Sequence, residues 1–164
     1  PFASSARNTA RYVCTAASGA RGEAHSVATG GSALSHPADI MQMASTGSAF
    51  GAVLANGRQR DTDHVPVVKF FNPLGAGVWL ATELDADGDI LFGLADLGEP
   101  ELGYFSLEEI ASVRLPFGLG IERDIFFSGD FPISVWAEAA REAGSIRSAE
   151  RIIYAAARTR REGA

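Results

Sequence analysis

The apolar residues of this chain gather into short β-branched and aromatic runs in its middle and into helical stripes towards its end. Runs of this composition, bounded by Gly, Pro, Asn and Asp, are typical of β-strands. They predict strands at residues 65–71 (VPVVKFF), 78–84 (VWLATEL), 90–97 (ILFGLADL) and 102–105, with a further strand-like segment at residues 121–127 (IERDIFF).

Helix start and stop signals predict four helices, at residues 48–57, 107–113, 131–144 and 148–163. The second begins at a capping box, SLEE, in which Ser106 is the N-cap and Glu109 the third helical residue. The third has an early proline, ends at Gly144, and places Trp136 on its inward stripe. Strands flanked and followed by helices predict an α+β fold around a small, mostly antiparallel sheet of four or five strands.

The segment LDADGDILFGLADLG, residues 84–98, raises the question of a calcium loop. Asp85, Asp87 and Asp89 occupy the first, third and fifth positions of an EF-hand loop. The sixth position is Ile90, where glycine is required, and the twelfth is Asp96, where glutamate is required. The flanks have strand composition, and the central DG pair is a strong hairpin signal, so we predict a hairpin turn.

Composition divides the chain into three parts: residues 1–46, 47–146 and 147–164. The first is rich in Ala, Ser, Gly and Thr, and buries too little apolar area to offset its ordering entropy, so we expect a low-complexity, disordered or non-native head. Its arginines superficially resemble a transit peptide, but a start at Pro1 favours a fragment or added upstream residues. The second part is the α+β domain, and the third is a basic helical extension.

Several kinds of chemistry are disfavoured. Cys14 is the only cysteine, which excludes an internal disulfide and a multi-thiolate zinc site. His25, His36 and His64 all precede the first predicted strand and read as loop residues. The chain has no run of 18 apolar residues and no apolar signal segment, so we expect a cytoplasmic protein with no membrane segment.

Several sequence blocks in a fixed order resemble the bacterial domain of unknown function family 2958. The resemblance runs from about residue 50 to residue 144, and its signature blocks are Thr82–Leu84, Asp96–Gly98, Pro100–Tyr104 and Glu122–Asp124. It implies a genomic context, namely plasmids and integrative elements carrying mobilisation and antirestriction genes. The resemblance implies no particular enzymatic activity for this chain.

Charge is distributed unevenly along the chain, whose formal net charge is -6. No Lys or Arg occurs between Phe70 and Val113, whereas this interval holds Glu83, Asp85, Asp87, Asp89, Asp96, Glu99, Glu101, Glu108 and Glu109. Such an interval repels phosphates and is a poor nucleic-acid surface. It is compatible with a solvated surface, a divalent-metal site, or a surface that binds a basic partner or mimics DNA.

The leading hypothesis is a non-enzymatic accessory protein of a mobile genetic element that binds an unidentified protein partner. Its partner-binding candidates are Glu83, Asp96, Glu99 and Glu101, no cofactor is required, and an antirestriction role is one form it could take. The alternative is an enzyme acting on phosphate-containing substrates, with Mg²⁺ or Mn²⁺ held by Asp96, Glu99 and Glu101. A plainer interpretation is that Asp96 and Glu101 cap turns.

Two further charged segments have structural explanations. Glu122, Arg123 and Asp124 are spaced for a fixed ion-pair network. The arginines of the C-terminal helix form the only plausible nucleic-acid element, although cations at a helix C-terminus also complement the helix dipole. We therefore expect nucleic acid to be an unlikely partner except through this helix.

Overall fold

A computed structural model describes residues 11–12 and 48–163, in which helices cover both faces of one sheet. The described strands are β1 Arg11–Tyr12, β2 Val68–Phe71, β3 Val78–Leu84, β4 Ile90–Asp96, β5 Pro100–Ser106 and β6 Glu122–Arg123. The described helices are α1 Ser48–Asn56, α2 Leu107–Ser112, α3 Ile133–Ala143 and α4 Ile146–Glu162, with a 3-10 turn at Pro116–Gly118. The predicted α+β class is confirmed.

The strand order is β1-β5-β4-β3-β2-β6, and strands β2 to β6 pair antiparallel. The five antiparallel strands confirm the predicted sheet of four or five strands, and within the described residues a sixth strand is added to it. The additional strand is β1, which pairs parallel with β5 through Arg11 opposite Gly103 and Tyr12 opposite Tyr104. These two residues belong to the predicted head, and the rest of that head lies outside the described residues.

The β3–β4 connection is the predicted hairpin. The Asp85 N–H donates to the Ile90 carbonyl at 2.8 Å, and Gly88 adopts a left-handed conformation with φ of 80°. The Asp87 carboxylate accepts from the N–H groups of Asp89 at 2.9 Å and Ile90 at 3.1 Å. These backbone hydrogen bonds, that from Asp89 most of all, hold the pKa of Asp87 below its ordinary value.

A bulge interrupts the β3–β4 ladder, which passes from Ala81 opposite Gly93 to Glu83 opposite Phe92. Thr82 is the extra residue, and its hydroxyl donates to the Phe92 carbonyl at 3.0 Å. A Cβ on Gly93 would lie 1.8 Å from the Leu80 carbonyl oxygen. The close approach of the two strands at the bulge therefore requires glycine at this position.

Because successive strand residues point to opposite faces, two apolar clusters form on the sheet. One lies under α1 and α2 and includes Val53, Phe70, Trp79, Phe105 and Ile110. The other lies under α3 and α4 and includes Leu80, Leu94, Trp136, Ile146 and Ile153. All seven residues of β3 are consequently buried.

Helices α3 and α4 form a hairpin with capping residues at the joint. α3 ends at Gly144, with φ of 80°, and Ser145 then caps α4 by accepting from the Ser148 N–H at 3.1 Å. The predicted inward stripe of α3 is confirmed, since Ile133, Trp136 and Ala140 are all buried. No helix in the described part of the chain is long and apolar enough to cross a membrane.

The strand-like segment at residues 121–127 forms a strand only at Glu122–Arg123. Directly afterwards, the Asp124 carboxylate accepts from the Phe126 N–H at 3.0 Å, which turns the backbone out of the sheet. The apolar composition of this segment predicted a longer strand, and the side-chain turn at Asp124 ended it.

The bulge gives a direct test of the packing. We expect Gly93→Ala to lower the free energy of unfolding by about 1–3 kcal/mol, because its methyl group meets backbone that cannot move aside cheaply. Gly51→Ala is the matched control: it lies in α1 with nothing within 4 Å of its Cβ, and we expect a gain of up to about 1 kcal/mol from helix propensity. Urea unfolding measures both, and equal effects would contradict the account of the bulge.

Candidate functional site

The structure separates the four predicted partner-binding residues into a buried pair and an exposed pair. Glu83 and Asp96 are only 2% and 7% exposed, whereas Glu99 and Glu101 are exposed. Asp96 and Glu101 also lie on opposite faces of the sheet, because Glu101 pairs with Ala95, the neighbour of Asp96. The three proposed metal ligands therefore do not converge.

The Asp96 carboxylate connects the end of β4 to the beginning of α4. One oxygen accepts from the Gly98 N–H at 3.1 Å, and the other accepts from the Ile146 N–H at 2.9 Å. A carboxylate is favourable there because the first N–H groups of a helix lack intrahelical partners and the helix dipole is positive at that end. Asp96 thus forms the predicted turn cap and, in addition, anchors a helix 50 residues away.

Two aspartates of the β3–β4 hairpin also have structural partners. Asp85 forms an ion pair with Arg60 at 2.5 Å. Asp89 accepts from the Ser106 hydroxyl and, at 2.8 Å, from the Glu108 N–H, while Ser106 itself accepts from the Glu109 N–H at 3.0 Å. Asp89 therefore extends the predicted capping box at the start of α2.

The remaining predicted candidates lie on the β4–β5 turn and the first two residues of β5, residues 97–101, which we together call the acidic turn. Glu99 and Glu101 have no ion-pair partner in the described part of the chain. Beside them Leu97 is 42% exposed, and Gly98 takes a positive φ of 132°. Across residues 48–163, no three His, Cys, Asp or Glu side chains are grouped as metal ligands.

The predicted ion-pair segment Glu122–Asp124 contacts Lys69, the only lysine in the sequence. The Lys69 side chain is 11% exposed and forms ion pairs with Glu150 of α4 and, at 3.4 Å, with Asp124. A buried ammonium is stable only when carboxylates compensate the loss of water. Asp124 of the predicted ion-pair segment thus joins β2 to the loop after β6, and Glu150 joins both to α4.

A cleft of about 340 Å³ lies between α4 and the loop at residues 124–131. We call it the α4 cleft. Its lining residues are Phe126, Ser128, Asp130, Tyr154, Ala157, Arg158 and Arg161. Arg161 forms an ion pair with Asp130 at 2.5 Å. The rings of Tyr154 and Trp136 pack edge to face, with their centroids 6.3 Å apart.

Tyr154 has the most perturbed acidity in the cleft. Tyr154 is 40% exposed, and the desolvation of its buried part raises its pKa to about 12. The carboxylates of Glu150, Asp124 and Asp130 add to the rise because they disfavour a phenolate. Its hydroxyl is therefore neutral throughout the physiological range, and it donates its hydrogen bond to the Glu150 carboxylate.

Four of the five arginines of α4 form a stripe at spacings of three and four, with Tyr154 among them: Arg147, Arg151, Arg158 and Arg161. Arg147 donates to the carbonyls of Asn72 at 2.9 Å and Gly75 at 3.0 Å. Arg151 and Arg158 have no hydrogen-bond or ion-pair partner among the described residues. The stripe is visible in the sequence, but nothing in the sequence indicates that the loop at residues 124–131 lies against it.

The model of the family described as Protein of unknown function (DUF2958) matches residues 41–147. The chain belongs to this family. Neither the curated proteins nor the solved structures gave a match. The DUF2958 match contains the acidic turn and ends in the first turn of α4, so Tyr154, Arg158 and Arg161 lie beyond it.

The role of Asp96 can be tested by removing its charge. We expect Asp96→Asn to lower the free energy of unfolding by about 1–3 kcal/mol, because one of two N–H groups loses its carboxylate acceptor at a buried helix start. Glu99→Gln, an exposed change of the same type, should stay within about 0.5 kcal/mol. Urea unfolding distinguishes them, and equal stabilities would show that the bond to Ile146 contributes nothing.

The acidity of Tyr154 predicts a loss of stability at high pH. The pKa of Tyr154 is 10.0 in the unfolded chain and about 12 in the folded one. Between these pH values only the folded chain keeps the phenol proton. Stability from this group is therefore complete below the lower value and falls as pH rises through the higher one.

Spectrophotometric titration of the phenolate band should show one late-titrating tyrosine, which Tyr154→Phe removes and Tyr104→Phe retains. Unfolding followed over the same pH interval should lose part of its pH dependence only in Tyr154→Phe. A late transition that persists in Tyr154→Phe would contradict the assignment.

Proposed function

We propose that this DUF2958 protein is a non-enzymatic accessory protein of a bacterial mobile genetic element that binds a basic protein partner through its acidic turn. The observation that carries the proposal is the exposure of Glu99 and Glu101 without ion-pair partners in the described chain. Exposed charges of one sign steer an oppositely charged partner and fix its orientation.

The rigidity of the acidic turn supports this function. Asp96, the residue directly before the turn, is hydrogen-bonded to the start of α4. The β4–β5 ladder, in which Asp96 lies opposite Pro100, holds the two sides of the turn together. Exposed Leu97 supplies an apolar contact beside the two carboxylates. An apolar centre with a charged rim is the usual composition of a specific protein interface.

The roles of the four candidates then differ. Glu99 and Glu101 would contact the partner, whereas the buried Glu83 and Asp96 would hold the sheet and the turn in place. A cytoplasmic DNA-binding protein is a partner class with the required positive surface, and an antirestriction function would be one instance. The mobile-element context comes from the family resemblance and the chemistry from the acidic turn.

Charge reversal at the acidic turn tests the function. We expect Glu99→Lys with Glu101→Lys to remove the partner from a pull-down out of a host that carries the parent element. With the purified partner, the association rate should fall by roughly tenfold or more and lose much of its salt dependence, while dissociation changes less. Surface plasmon resonance at low and physiological salt measures both rates.

The matched control is Glu138→Lys with Glu142→Lys, which changes the net charge equally at two exposed positions of α3. Identical partner lists for native protein and the turn variant, or equal loss in the control, would remove the acidic turn from the function. A Mg²⁺- or Mn²⁺-dependent activity on phosphate substrates that Asp96→Ala abolishes would replace binding by the enzymatic alternative.

A further inference from the structure

Phe126 is presented outward at the rim of the α4 cleft by a loop that is fixed on both sides of it. The side chain is 90% exposed, and the Asp124 carboxylate holds its backbone N–H. The next residue, Phe127, turns inward and packs on Trp136 with ring centroids 5.7 Å apart. An aromatic ring held in water by ordered neighbours is available to stack on a planar group.

Arg158 supplies the second half of the arrangement. Its guanidinium lines the cleft and has no hydrogen-bond or ion-pair partner among the described residues, whereas Arg161 is held by Asp130. A planar guanidinium is suited to bidentate contact with phosphate oxygens.

The nearby carboxylates do not cancel this charge. Lys69 compensates one of the two charges carried by Glu150 and Asp124, and Asp130 is paired with Arg161. Arg158 at the cleft and Arg151 two turns earlier on the same side of α4 together outnumber the one carboxylate charge that remains, so a local positive excess persists on a chain whose net charge is -6. The guanidinium of Arg158, and not the inner part of the cleft around Tyr154, is therefore the place where an anion can be bound.

We propose that the α4 cleft binds a nucleoside phosphate unit, whose base stacks on Phe126 and whose phosphate contacts Arg158. The site goes beyond the proposed function, because it lies on a different surface and needs no protein partner. Its volume of about 340 Å³ is at the lower end of small-molecule sites and fits one such unit.

The same chemistry is found in a free nucleotide and in a single-stranded nucleic acid. In a duplex the bases are already stacked on each other, so a duplex cannot offer one to Phe126. A single strand can, and its next phosphates would reach Arg151 along α4. An acidic peptide matches the arginines but has no planar base for the exposed ring.

The test uses the full chain, with a fluorescein-labelled oligothymidylate followed by anisotropy and thymidine monophosphate followed by calorimetry. We expect Phe126→Ala and Arg158→Gln each to weaken binding by at least about fivefold at low salt, as loss of a base stack or a phosphate contact does. Arg158→Gln should also lower the salt slope for the strand by about 0.7. Phe126→Trp should restore binding.

Two control variants match these changes in exposure and chemistry. Phe117→Ala removes a ring that is 92% exposed on another loop, and Arg141→Gln removes an exposed arginine of α3. Both should bind within about twofold of the native protein. Melting temperatures close to native in all five variants would show that affinity, rather than folding, was changed.

The two probes distinguish the sources of the ligand. Binding of both, with the same dependence on Phe126 and Arg158, supports a free nucleotide, and binding of the oligonucleotide alone supports a single strand. No binding of either probe at millimolar concentration, equal binding in Phe126→Ala and the native protein, or equal competition by a duplex or by polyglutamate would overturn the proposal.

Discussion

The carboxylate of Asp96 carries the interaction on which the remaining arrangement depends, its bond to the first helical N–H of α4. The bond fixes where α4 begins relative to the end of β4, and a helix placed at one end is placed along its whole length. Ile146, Ala149 and Ile153 then meet the sheet, and Glu150 meets Lys69. The acidic turn is held by the other oxygen of the same carboxylate.

The acidic turn and the arginine of the α4 cleft consequently lie at opposite ends of one rigid unit. The acidic turn adjoins the start of α4, and Arg158 lies twelve residues further on, about 18 Å along the helix axis. Separation matters because oppositely charged groups closer than a Debye length, about 8 Å at physiological ionic strength, would largely neutralise each other. Two surfaces of opposite sign can therefore attract different classes of ligand on a chain of modest size.

Local signals predicted most of the fold. The strand β3, the DG hairpin, the capping box at Ser106 and the stop at Gly144 each depend on neighbours within a few residues, so the sequence contains their complete cause. The two-residue strand β1 was not predicted, because its pairing with β5 depends on backbone bonds to a distant segment and not on its own composition.

The site was less predictable for the same reason. Asp96 was recognised as a functional or capping acid, but its partner Ile146 is 50 residues away. Glu150 and Tyr154 do not stand out in the sequence, because only the tertiary packing brings Lys69 and the loop at residues 124–131 against them. Exposure also cannot be read from a charge run, and it divided the four acidic candidates into two pairs.

The burial of Lys69 has a consequence for the chemistry of the molecular surface. It is the only lysine in the sequence, so every other basic side chain of the chain is a guanidinium or an imidazole. Guanidinium groups stay protonated under all physiological conditions and are not substrates of the acyl transfer that neutralises lysine amines. The positive charge of the arginines along α4 therefore changes neither with lysine acetylation nor with cellular pH. A binding partner that masks these arginines could still regulate this surface.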